Sequence, residues 1–171
     1  MSEMIVITQG QYAVSGDPDV TIATVLGSCV ACCLWDKIGG LGGMNHMLLT
    51  QRQRGNMSCD ALGVNAMELL INELLKLGAR RDRLQAKVFG GARMVDGLSD
   101  IGSANAAFTL DFLAREGIAC TAQSLGGITA RQIRFWPASG IVRQKVTPIS
   151  IVNESVPQAT ADAQGNGLEL F

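Results

Sequence analysis

The sequence predicts an α/β fold of the α+β kind: a layered sandwich of mixed β-sheets flanked by two main helices. Three observations point there. Most apolar runs are short and end in Gly, Pro, Asp or Ser, as strands do. Only two longer stretches carry apolar residues at helical spacing. Helices and strands alternate only in the middle of the chain, which disfavours a doubly wound sheet.

In chain order, Ile5 to Ile7 and Gln11 to Val14 read as short strands parted by Gly10 and ended by the turn Ser15-Gly16-Asp17-Pro18. Val20 to Leu26 is a third strand, stopped by Gly27. Val30 to Trp35 is apolar throughout, as in a strand covered on both faces. Asp36 to Gly43 supplies turn chemistry with four glycines, and Met44 to Leu49 resumes as a buried strand. Thr50 to Cys59 is polar and irregular, an exposed loop. Asp60 is placed to cap a helix from Ala61 to Leu77, with Val64, Met67, Leu70, Ile71, Leu74 and Leu75 as its apolar side and Gly78 as its stop. Leu84 to Phe89 is a strand ending in Gly90-Gly91. A second helix runs from about Ala104 to Glu116, entered through Ser103. Ile118 to Leu125 is strand-like, and Arg131 to Trp136 with Ile141 to Val146 makes a hairpin. The expected organisation is one domain over residues 1–146. A tail, residues 147–171, is small and polar, with an apolar end, Leu168 to Phe171, able to dock back.

Bulk properties exclude several classes. The chain has 171 residues, enough for one packed domain, and 47% of them are apolar with a formal charge of −1. That balance argues against a nucleic-acid partner, which selects for a basic excess. The clusters Arg52/Arg54 and Arg80-Arg81-Asp82-Arg83 read as solvated loops. No apolar run approaches the ~18 residues of a membrane span, because Asp36 and Lys37 interrupt the richest stretch. The N-terminus Met1-Ser2-Glu3-Met4 lacks a basic secretory start. Five irregularly spaced cysteines fit reduced thiols better than a disulfide framework, so a cytoplasmic protein is expected.

The chemistry concentrates between Gly27 and Leu49. Cys29 follows a Gly-Ser shoulder, and the stretch contains the sole histidine, His46. A thiol needs a base to be a nucleophile near neutral pH, and imidazole suits that task. Gly27 permits a bend at the end of a strand that lifts a side chain into a cleft and exposes backbone N–H groups to an oxyanion. On spacing alone, a buried cysteine beside a structural turn is the commoner reading, as is a hydrogen-bonded core histidine. Cys29 and Cys32 match C-x-x-C. On a strand, however, positions 29 and 32 face opposite sides, and zinc would need more ligands than one histidine and one close cysteine pair supply. Neither metal nor organic cofactor is signalled. Cys32, Cys33, Cys59 and Cys120 read as small buried hydrophobes.

The run Leu26-Gly27-Ser28-Cys29-Val30, followed by Gly43-Met44-Asn45-His46-Met47, resembles the chemoreceptor glutamine deamidase family, CheD. The resemblance extends through Asp60-Ala61, Val88 to Ala92, Ile101-Gly102-Ser103-Ala104-Asn105, Leu125 to Gly127 with Arg131, and the terminal Leu168 to Phe171. It implies a layered α/β sandwich and a cytoplasmic protein-glutamine glutaminase. Such an amidohydrolase converts particular glutamines on the cytoplasmic helices of methyl-accepting chemoreceptors to glutamate through a cysteine thioester. It also implies a partner of the CheC phosphatase type, and a non-catalytic binding module engaging that partner or the receptor is the alternative. By resemblance Cys29 is the nucleophile and His46 the base. Backbone N–H groups around Ser28 would serve the oxyanion. The family's threonine that orients the histidine falls, by counting, on Ala23, with Thr21 and Thr24 close by. Thr24 is preferred, with a bulge restoring its register; a backbone carbonyl is the other option.

Overall fold

The computed structural model describes residues 1–49, 59–94, 100–146 and 168–171, with the side chains of residues 59–61 left aside. The chain begins with β1 (Glu3–Val6), β2 (Tyr12–Ser15), β3 (Val20–Leu26), β4 (Val30–Asp36) and β5 (Leu41–Asn45). After α1 (Cys59–Lys76) come β6 (Leu84–Gly90), α2 (Ile101–Arg115) and β7 (Ala119–Leu125). The chain closes with β8 (Arg131–Trp136), β9 (Ile141–Val146) and β10 (Leu168–Leu170). These strands form two five-stranded sheets, β1-β3-β8-β9-β10 and β2-β5-β4-β6-β7. Both are mixed, since β1 runs parallel to β3 and β6 parallel to β7 while the other pairs are antiparallel. Among the described residues no helix is long and apolar enough to cross a membrane.

Two cores follow from the alternation of side chains along β4. Cys29, Ala31, Cys33 and Trp35 point between the sheets, where Ile22, Leu26, Ile133, Phe135 and Phe89 meet them. Val30, Cys32 and Leu34 point the other way, against Met67, Leu70, Ile71 and Leu74 of α1 and Phe112 and Leu113 of α2. The layers are therefore sheet, sheet and helices, with β4 covered on both faces as its unbroken apolarity requires.

Several local expectations shift. Leu41 to Gly43 belong to β5 and not to the turn. A Cβ on Gly42 would strike the backbone oxygens of Leu34 and Pro137, and one on Gly43 would strike Ala13, Val14 and Leu70. Close packing of β5 against β2, β4 and α1 explains those glycines. α1 begins at Cys59, so Asp60 lies inside the helix. Val64 and Leu75 face outward and leave the apolar side to their neighbours. α2 starts at Ile101, three residues early, because Asp100 accepts a hydrogen bond from the Ser103 N–H and caps it. Cys120 is exposed on β7, and the side chain of Cys59 lies outside the described residues. Most of the loop expected from Thr50 to Cys59, and residues 147–167 of the tail, are also outside them.

At the C-terminus, β10 pairs with β9 from Leu168 opposite Lys145 to Leu170 opposite Arg143. Phe171 exchanges two backbone hydrogen bonds with Val142 and sets its ring edge-on to Phe89 at 5.2 Å.

Candidate active site

The chain crosses from one sheet to the other between Leu26 and Val30, and three residues make that crossing. Each carbonyl there is held. Gly27 accepts from the Ala92 N–H at 3.0 Å and Cys29 from the Gly91 N–H at 2.9 Å. Ser28, half-buried, accepts from Asn105 Nδ2 at 2.9 Å. The end of β6 approaches so closely that a Cβ at Gly90, whose φ is +109°, would collide with the Cys29 carbonyl. Gly90 is held in turn by Arg131, whose guanidinium donates to the Gly90 and Gly126 carbonyls at 3.1 and 2.7 Å. Burial pushes the affinity of that guanidinium for its proton down, and Glu169 pushes it back up.

His46 follows β5 directly. The β4–β5 ladder pairs Cys33 with Met44, opens for two residues, and closes again with Val30 opposite Met47. In the opening, Asn45 Oδ1 takes the Cys32 N–H at 3.0 Å, while the His46 backbone turns to Gln11 and Gly10. The register is the same on both sides of the gap, so position 31 faces 46. Cys29 belongs to the core between the sheets, and His46 reaches the same space, where Thr24 of the opposite sheet meets it. Both are nearly enclosed, Cys29 at 2% and His46 at 7% exposure.

Thr24 reaches His46 from the opposite sheet. Its Oγ1 lies 2.7 Å from His46 Nδ1 and 2.8 Å from the Ile7 carbonyl oxygen. A hydroxyl has one proton, and a carbonyl can only accept, so that proton goes to Ile7. Thr24 then accepts from His46, which places an imidazole proton on Nδ1. The β3 register against β1 and β8 is unbroken, with no bulge. Thr24 faces inward because it shares parity with Ile22 and Leu26, whereas Ala23 and Thr21 take the other face.

The other thiols differ in surroundings. Burial pushes the Cys32 and Cys33 thiols far up, with the neighbouring Cys120 and Cys32 respectively adding to it, and Lys87 offsets part of the rise at Cys33. Cys29 and Cys32 project into separate cores, so the C-x-x-C pair does not share a face. Among the described residues, no three or more His, Cys, Asp or Glu side chains are grouped to hold a metal ion. A cleft of about 280 Å³ opens beside His46, between the Gln9 to Tyr12 segment and the Leu62, Asn65 and Leu69 side of α1. His46 lines it and Cys29 does not.

The sequence pattern contains the residues that hold the crossing, Asn105 and Arg131, but gives them no role. Their carbonyl partners Ser28 and Gly90 lie dozens of positions away and are brought near only by folding. Full burial of both amide ends of Asn105 is the structural sign.

Residues 47–146 match the family model described as CheD chemotactic sensory transduction. A protein of Caulobacter sp. (strain K31), called a probable chemoreceptor glutamine deamidase CheD, is 51% identical over 171 residues, covering 96% of this chain and 91% of its own. A protein of the same name from Rhizobium rhizogenes is 47% identical, covering 96% and 94%. One from Cereibacter sphaeroides is 53% identical over 138 residues, covering 81% and 69%. Among solved structures, a Bacillus licheniformis hypothetical protein YfiH overlays 66% of this chain and 49% of its own, at 15% identity and a TM-score of 0.45, too distant to bear on function. With half the residues shared across nearly full length, and the family model spanning more than half of it, the chain belongs to the CheD family.

Proposed function

We propose that this chain is a cytoplasmic protein-glutamine deamidase of chemoreceptors, with Cys29 as nucleophile, His46 as base and Thr24 as the group that orients it. The observation that carries the reading is the hydrogen-bond chain from His46 Nδ1 through Thr24 to Ile7. It places a proton on Nδ1 and orients the ring, in the same space as the one cysteine at a bend between sheets. A relative's name supplies the substrate, a chemoreceptor glutamine.

In the proposed reaction the Cys29 proton passes to His46 Nε2, and the sulfur bonds to the glutamine Cδ. The carbonyl π electrons move onto oxygen, and backbone N–H groups at Ser28 and Cys29 stabilise that charge. His46 returns the proton to the amide nitrogen, the C–N bond breaks, and ammonia leaves a thioester. Water then gives one proton to His46 and its oxygen to the acyl carbon. The C–S bond breaks, Cys29 recovers its proton, and glutamate is released. The cleft beside His46 offers the receptor segment an apolar flank from Leu62 and Leu69 and amide groups from Gln9 and Asn65. A CheC-type phosphatase is the further partner that the family resemblance implies, in competition with the receptor. The Thr24–His46 contact supports the catalytic reading over a non-catalytic binding module.

The test is ammonia release, with a mass gain of about one unit per converted glutamine in receptor peptides, as amide-to-acid exchange requires. Wild type should convert, and Cys29→Ala and His46→Ala should fall by at least about 10³-fold. Undiminished conversion by Cys29→Ala would end the proposal.

A further inference from the structure

We propose that Asn105 is a positioning residue that fixes the direction of the Cys29 N–H, and so sets where an oxyanion can be held; this rests on Cys29 being the nucleophile. The Ser28 carbonyl and the Cys29 N–H belong to one peptide unit. That unit is planar and trans, with no cis bond among the described residues, so its two dipolar ends point in opposite directions. Pinning the carbonyl aims the N–H.

The pin is a side chain. Asn105, on α2 and fully buried, donates from Nδ2 to the Ser28 oxygen at 2.9 Å. Its Oδ1 accepts from the Leu49 N–H at 3.1 Å. One amide thereby ties the nucleophile's crossing to the segment three residues beyond His46. Only a carboxamide offers a donor to one side and an acceptor to the other at that length.

The two flanking peptides are held differently. Ala92 and Gly91 secure the Gly27 and Cys29 carbonyls with backbone N–H groups. The middle peptide, which carries the N–H of the nucleophile itself, is the one whose carbonyl a side chain holds. Without Asn105 the Ser28 carbonyl loses this bond, and the Ser28–Cys29 plane gains freedom to rotate while both flanking carbonyls stay bonded. The thiol would remain beside His46, and the donor would turn away from the developing charge.

That separation is measurable. Alkylation of Cys29 by iodoacetamide displaces iodide at a saturated carbon and builds no oxyanion, whereas deamidation does. Asn105→Leu, close in volume, is expected to alkylate at Cys29 within about twofold of wild type, with the same pH profile. Its kcat for receptor deamidation should fall about 10- to 100-fold with KM little changed. If that chain does not fold, Asn105→Ser, which leaves room for a water, carries the same comparison. Wild-type kcat in a folded variant overturns the proposal, and so does a loss of alkylation in step with kcat. Failure of wild type to convert glutamine, or retention of conversion by Cys29→Ala, would instead strike the deamidase reading.

Discussion

At the scale of single residues, Thr24 does two jobs with one oxygen. It gives its proton to Ile7 and takes one from His46, so removing the hydroxyl strands both partners in a buried setting. Thr24→Val is expected to cost about 1–2 kcal/mol in urea unfolding and to lower deamidation kcat about 10- to 100-fold through a freed imidazole. Thr24→Ser, which keeps the oxygen, should stay within about threefold of wild type in the same ammonia assay. Cys29 and His46 stood out in the sequence through rarity: a sole histidine, and a thiol on a Gly-Ser bend. Thr24 was legible only to within a residue, because counting along the chain fixes distance while the pleat of β3 decides which neighbour faces inward. Asn105 stood in the family pattern without a role, since both its partners are backbone groups made adjacent by folding.

Among elements, the link from β4 to β5 shows how a short turn is locked. Asp36 has no exposed surface and accepts from the N–H groups of Ile38, Gly39 and Arg80 and from the Arg83 side chain. Arg83 also closes a 2.8 Å ion pair with it. Burial pushes the carboxyl up, but the Gly39 and Arg80 N–H groups and Arg83 outweigh that, and the net direction is down. A carboxyl depressed in the folded state adds stability that is complete above its unfolded value, about 3.9, and that fades as pH falls through the folded one. Asp36→Asn is therefore expected to unfold at lower urea than wild type at pH 7, with the gap narrowing below about pH 4. Both helices and most strands were legible from periodicity and stop signals. Leu41 to Gly43 were not, because glycines in a crowded strand look like glycines in a turn until Leu34, Pro137 and Leu70 are in place around them.

Over the whole molecule, two helices with many short strands were enough to read the sandwich class. Which strand joined which sheet was not readable. β3 pairs with β8 across more than a hundred residues, Ile22 opposite Phe135, and no local signal encodes such a partner. The terminal Leu-Glu-Leu-Phe looked able to dock, and β10 with Phe171 now extends the first sheet. Deleting residues 168–171 removes the Phe171 ring from Phe89 and three rungs from β9. A loss of about 2–4 kcal/mol in urea unfolding is expected, and an unchanged midpoint would show that this edge contributes nothing.

The division of thiols between two cores also decides how the protein meets oxidants. Cys32 sits on the helix side of β4, and Cys33, though in the core between the sheets with Cys29, is fully buried with its thiol pushed far up. A sulfenic acid at Cys29 thus finds no ready thiolate in either of them. Its rescue falls to a diffusing thiol such as glutathione, and sustained peroxide carries it onward to an irreversible sulfinate.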